Sequence, residues 1–139
     1  MGRILAIDYG TKRCGIAVTD AMQIISTPLT TVAANELTAF IKQYIAKEKV
    51  DTIVVGRPLQ ANGTASEIEP MIKRCLQSLA TVVGGIPIER FDERYTSQLA
   101  MNALIQSGVK KMERRDKALI DKTSATIILQ AYMQWKEMR

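Results

Sequence analysis

The order in which extended and helical segments arrive constrains this chain more than any other feature. Arg3 to Asp8 is an apolar run closed by an acid, Tyr9-Gly10-Thr11-Lys12 reads as a turn, and Cys14 to Thr19 is a second extended run. A third strand is expected around Leu29 to Val32, after the turn-like Ser26-Thr27-Pro28. Short connections between successive strands predict an antiparallel meander. Only then does helical periodicity begin. Asn35 is placed to cap a helix on which Leu37, Phe40, Ile41, Tyr44 and Ile45 form one apolar stripe.

From there strands and helices alternate. Thr52 to Val55 is β-branched, as buried parallel strands are. Thr64 and Glu67 have capping-box spacing for a second helix with Ile68, Ile72, Cys75, Leu79 and Val82 on its inner face, ended by Gly84-Gly85. Pro87 to Phe91 is a fifth strand. Thr96 can cap a helix carrying Leu99, Ala103 and Leu104, stopped by Gly108, and Asp121 to about Met138 forms the last helix. The pattern predicts an α/β layer fold with a mixed five-stranded sheet, in a single domain over residues 1–139.

Composition narrows the chemistry. The 139 residues contain no histidine, which excludes Ser-His-Asp and Cys-His nucleophilic sites and histidine-based zinc proteases. Cys14 and Cys75 have no CxxC spacing and imply neither a disulfide framework nor a zinc site. No apolar run approaches the ~18 residues of a membrane span, and no cleavable leader is expected, so a cytoplasmic setting without membrane contact is the reading. The net charge of +5 is concentrated. Lys110, Lys111, Arg114, Arg115, Lys117 and Lys122 stand against Glu113, Asp116 and Asp121, a local basic stretch suited to a phosphate-rich partner or to a solvated loop.

Three acids fall where chemistry is favoured. Asp8 ends the first strand, and ligand sites of open α/β sheets lie beyond the carboxyl ends of strands. Asp92-Glu93-Arg94 follows the fifth strand, at the same edge if that strand runs parallel to the first, and the sequence leaves open which of its two acids faces Asp8. Asp121 precedes Ala125, Ile128, Leu129 and Tyr132 at spacings of four, seven, eight and eleven, in line with the apolar stripe. Each has a plainer reading: a turn cap for Asp8, a surface ion pair for Glu93, a helix N-cap for Asp121. Converging carboxylates would repel without a cation, and hard oxygen donors suit Mg²⁺ or Mn²⁺. Two such ions about 3.5–4 Å apart support in-line phosphodiester hydrolysis without an imidazole base. Lys12, Arg94 and the basic stretch (Lys110, Lys111, Arg114, Arg115 and Lys122) could then hold a phosphate backbone.

With those residues in place, the chain resembles the YqgF (RuvX-type) family, long described as Holliday junction resolvases and now mostly regarded as nucleases maturing the precursor of small-subunit ribosomal RNA. The matching segments are Ile7-Asp8-Tyr9-Gly10-Thr11-Lys12 with Gly15-Ile16-Ala17-Val18, Val54-Val55-Gly56-Arg57-Pro58-Leu59 with Asn62-Gly63-Thr64, Asp92-Glu93-Arg94-Tyr95-Thr96-Ser97 with Ala100, and Asp121-Lys122-Thr123-Ser124-Ala125. The resemblance implies an RNase H-like fold with Asp8, Glu93 and Asp121 as its acidic triad, holding Mg²⁺ or Mn²⁺. It departs from the family at Arg57, where an apolar residue is more usual. RNase H-like resolvases also usually carry an acid near the fourth strand. Here that strand ends in Gly56-Arg57, so Glu93, one strand later, must substitute.

The expectation is a metal-dependent nuclease acting on a ribosomal RNA precursor, with ribosomal particles as a partner and a monomer or homodimer as the assembly. Two alternatives share the features: a resolvase acting on DNA four-way junctions, and a non-catalytic RNA-binding assembly factor. An actin-like ATP-binding protein also begins with such a loop, but it needs two domains of this kind.

Overall fold

The computed structural model describes residues 2–58, 62–93 and 117–137, with side chains in the last stretch described from 124 onward. Five strands form one mixed sheet: β1 (Arg3–Asp8), β2 (Arg13–Thr19), β3 (Ser26–Ala33), β4 (Val50–Arg57) and β5 (Ile88–Asp92). Their spatial order is β3-β2-β1-β4-β5. The first three are antiparallel neighbours, while β4 runs parallel to β1 and β5 parallel to β4. This is the expected meander followed by helix–strand alternation. The carboxyl ends of β1, β4 and β5 therefore meet at one edge.

The helices are α1 (Leu37–Lys47), α2 (Glu69–Ala80) and the C-terminal α3 (Lys117–Glu137). Strand alternation divides the core between the two faces. Leu5, Ile7, Ile16, Ile53 and Val55 pack with Leu37 and Ile41 of α1 and with Ile72 and Leu79 of α2. Ile4, Ala6, Ala17 and Val54 pack on the other face against Ala125, Ile128, Leu129 and Tyr132 of α3. Burying each large side chain contributes about 2 kcal/mol. A one-residue slip of β1 would exchange its two sets, so core packing fixes the face on which Asp8 emerges.

Local readings needed correction in four places. Ser26-Thr27-Pro28 belongs to β3 and is not a turn: Pro28 pairs with Ala17 where the register shifts, on an edge strand that tolerates its missing N–H. Asn35 does not cap α1, because a 3₁₀ turn, Ala34–Glu36, intervenes and no side chain caps either segment. The Thr64–Glu67 capping box is not formed. Asn62 takes both the backbone N–H and the hydroxyl of Thr64, and α2 starts later, at Glu69-Pro70. That helix also ends at Ala80, before Gly84, whose φ of +62° turns the chain toward β5. The expected helix from Thr96 to Gly108 lies outside the described residues.

Candidate active site

Asp8 closes β1 opposite Gly15 of β2, on the face it shares with Ile4 and Ala6, under α3. On β5, Phe91 packs against that same cluster and meets Tyr132 edge-on at 6.2 Å. Two residues further, Glu93 reaches the same face at the same edge. Its side chain is in hydrogen-bond contact with Asp8. The two acids that the sequence placed at one edge of the sheet are therefore neighbours in contact.

Gly56 makes this possible. Strand β4 lies between β1 and β5, and Gly56 is its residue at this level, paired with Phe91. A Cβ at Gly56 would stand 2.8 Å from Cδ of Glu93, 2.9 Å from Cγ and 3.0 Å from Oε2. The Glu93 side chain thus fills the space a fourth-strand side chain would need. This explains how a strand ending in Gly56-Arg57 can serve a site with an acid from the next strand. Gly10, just past Asp8, is equally constrained: its Cβ would meet the Arg13 carbonyl oxygen at 2.4 Å.

Burial pushes the Glu93 carboxyl above its usual range, and Asp92 adds to the rise. The hydrogen bond with Asp8 and the charge of Arg90 pull it back. Two carboxyl groups in contact need a proton or a cation between them, since both cannot stay ionised side by side. As a donor set of hard oxygens the pair fits Mg²⁺ or Mn²⁺. Among the described residues no group of three or more ligating side chains gathers. The Asp121 carboxyl lies outside them, though its backbone is in α3, one turn before the buried Ala125. Because α3 starts at Lys117, Asp121 is an interior helical residue and not an N-cap.

A second pair braces this edge and was not foreseen. The Arg90 guanidinium donates to Glu69 through both terminal nitrogens, at 3.1 and 2.8 Å, and to the carbonyls of Val55 and Gly56 at 3.3 and 3.2 Å. Glu69 is only 3% exposed, and Arg90 holds its carboxyl below the usual glutamate range against the opposing effect of burial. The arrangement ties β5 and the start of α2 to the end of β4. Its one sequence signal is an arginine within a strand of otherwise mixed character. On the other face, Tyr132 donates to Glu89.

Of the expected phosphate-binding residues, Lys12 is exposed in the β1–β2 turn at the same edge. Lys122 lies in α3 with its side chain outside the described residues, as do Arg94, Lys110, Lys111, Arg114 and Arg115 entirely. No described helix is long and apolar enough to cross a membrane.

Known proteins resemble the chain over nearly its whole length. A protein of Flavobacterium psychrophilum named "Putative pre-16S rRNA nuclease" is 48% identical over 136 residues, 98% of this chain and 99% of its own length. One of the same name from Phocaeicola vulgatus is 50% identical over 137 residues, 99% of each. In fold the chain is similar to Thermus thermophilus RuvC, solved in complex with a Holliday junction substrate, with a TM-score of 0.60, 13% identity and 96% of each chain covered. The family described as "RuvX: Holliday junction resolvase" matches residues 2–135, and the chain belongs to that RNase H-like nuclease family.

Proposed function

We propose that this chain is a metal-dependent nuclease that hydrolyses phosphodiester bonds in maturing the 5′ end of pre-16S rRNA. The observation that carries the reading is the contact between Asp8 and Glu93 over Gly56, at the carboxyl edge of the sheet. Asp8, Glu93 and Asp121 would hold one or two Mg²⁺ or Mn²⁺ ions. Such ions supply an activated water and charge stabilisation for an in-line displacement. Glu93 is held ready by Gly56 beneath it, and the Arg90 guanidinium keeps positive charge nearby. Lys12, Arg94 and the basic residues Lys110, Lys111, Arg114, Arg115 and Lys122 would grip the backbone without reading sequence. The substrate class comes from the names of the relatives, and it implies a cytoplasmic protein working on ribosomal precursors.

Cleavage of a labelled pre-16S rRNA 5′ segment and of a DNA four-way junction, with Mn²⁺ or EDTA, tests this in wild type, Asp8→Asn and Asp121→Asn. Metal-dependent cutting of the RNA, lost in both variants, is expected. Cutting of the junction alone would favour the resolvase reading. Binding without cutting under every condition would leave an assembly factor whose acids are structural.

A further inference from the structure

The face opposite the carboxylates holds a groove that the reaction above does not use. It runs between α1 and α2, encloses about 260 Å³, and opens to solvent. Tyr9, Asn35, Thr38, Arg74, Cys75 and Ser78 line it. Tyr9 directly follows Asp8, so their Cα atoms are about 3.8 Å apart and the groove starts at the candidate active edge. The Lys12 carbonyl accepts from the Ala34 N–H at 3.0 Å, which sets the β1–β2 turn against the rim of the groove.

Its chemistry favours an anion. Within α1 the charged residues are Lys42 and Lys47, with no acid. Within α2 they are Glu69, Lys73 and Arg74, and Glu69 is taken up by Arg90. Glu36 and Glu48 at the two ends of α1 offset its lysines, so the positive charge of the groove itself is that of Arg74, the one charged side chain among its described lining residues. Among the described residues, the side chains of Asn35, Thr38, Arg74 and Ser78 engage no hydrogen-bond or ion-pair partner. An open, polar, cation-edged groove is unlike the enclosed, mostly apolar pockets that take small organic ligands. It suits a chain that passes through.

We propose that the α1–α2 groove is a subsite for a nucleotide of the substrate strand adjacent to the scissile phosphate, with Arg74 on a backbone phosphate and Asn35, Thr38 and Ser78 within reach of sugar and base edges. The subsite rests on the nuclease reading, and its test separates the two.

Cys75 lines the groove while Cys14 is fully buried, so Cys75 is a built-in reporter. Burial pushes its thiol pKa up, and labelling with a small methanethiosulfonate is therefore followed at mildly alkaline pH. Asp121→Asn protein is saturated with a short single-stranded RNA in Ca²⁺, with occupancy read by fluorescence anisotropy in the same sample. RNA should slow Cys75 labelling about tenfold. Arg74→Glu should remove the protection and weaken binding, whereas Arg74→Lys should keep both. Loss of one phosphate contact should also flatten the log–log salt dependence by about 0.7. Saturated binding with unchanged Cys75 labelling would overturn the subsite and leave the nuclease reading standing. No binding of RNA or DNA by any form would overturn both.

Discussion

Gly56→Ala separates positioning of the acid from stability of the sheet. The new Cβ would lie 2.8–3.0 Å from three atoms of Glu93, against about 3.5–4.0 Å for a comfortable contact. Glu93 must then retreat by roughly 1 Å, because every atom met belongs to its side chain and none to the backbone. A displacement of that size in a reacting constellation costs about 10²-fold in rate. Stability should hardly move. Overpacking costs about 1–3 kcal/mol, at the low end where a side chain can yield, and alanine regains up to about 1 kcal/mol over glycine in a strand. The net loss should be about 0–1 kcal/mol, a drop of no more than roughly 4 °C in Tm. The assay is kcat for cleavage at saturating Mn²⁺, beside thermal melts with and without the ion. Wild-type kcat with a wild-type metal-induced rise in Tm would refute the argument. So would a collapse of more than about 3 kcal/mol, since that would mean the backbone and not the Glu93 side chain is what collides.

Other outcomes follow from the same contacts. Gly10→Ala places its Cβ 2.4 Å from the Arg13 carbonyl oxygen, a backbone atom that cannot swing away, so urea unfolding should show a loss of about 2–3 kcal/mol. Arg90→Met and Glu69→Gln each strand a largely buried partner and should each cost about 2–4 kcal/mol in chemical denaturation, with the double variant losing less than the two singles together. In EDTA the raised pKa of Glu93 means the folded state holds the extra proton. That stabilisation is complete below about pH 4.3 and is lost as pH rises through the elevated folded value, so the Tm of wild type should fall across that window relative to Glu93→Gln, and Mg²⁺ should restore it. Glu69 acts oppositely: its contribution is present above about pH 4.3 and is lost as pH falls through its depressed value, which an Arg90→Met comparison should reveal.

The strands were legible because their signals are local and redundant. Ile4 to Ile7 and Ile53 to Val55 are apolar on both faces, as strands buried between two helical layers must be, and their ends were found to within a residue or two. Helix starts were harder. Asn35 and Thr64 carry the side chains that cap helices, but the same groups also form turns of their own, and Asn62 captured Thr64 before any helix could. Pro28 failed for a related reason. A proline argues against a strand only where the ladder needs its N–H, and whether β3 lies at the sheet edge is decided by the whole topology.

The candidate site shows where sequence reasoning stops. That Asp8 and the Asp92-Glu93 pair share an edge follows from parallel strands and could be argued in advance, whereas Glu93 and not Asp92 as the acid on the face of Ala6 and Phe91 emerges only from the fold. Nor could the contact of Asp8 with Glu93 be argued in advance, because it depends on what the intervening strand leaves empty. Gly56 looked like a missing acid. In three dimensions it is the vacancy that lets an acid from β5 stand where one from β4 would have stood. The Arg90–Glu69 brace escaped for the same reason: each residue alone reads as surface charge, and only the meeting of β5 with the start of α2 turns them into a buried pair. Such a pair adds little net stability compared with apolar packing, but breaking it leaves a stranded charge. Its place, with donors on the carbonyls of Val55 and Gly56, fixes the backbone that Glu93 rests on. The economy of the edge is therefore that one strand supplies space, its neighbour supplies the acid, and an ion pair on the far face holds the two in register.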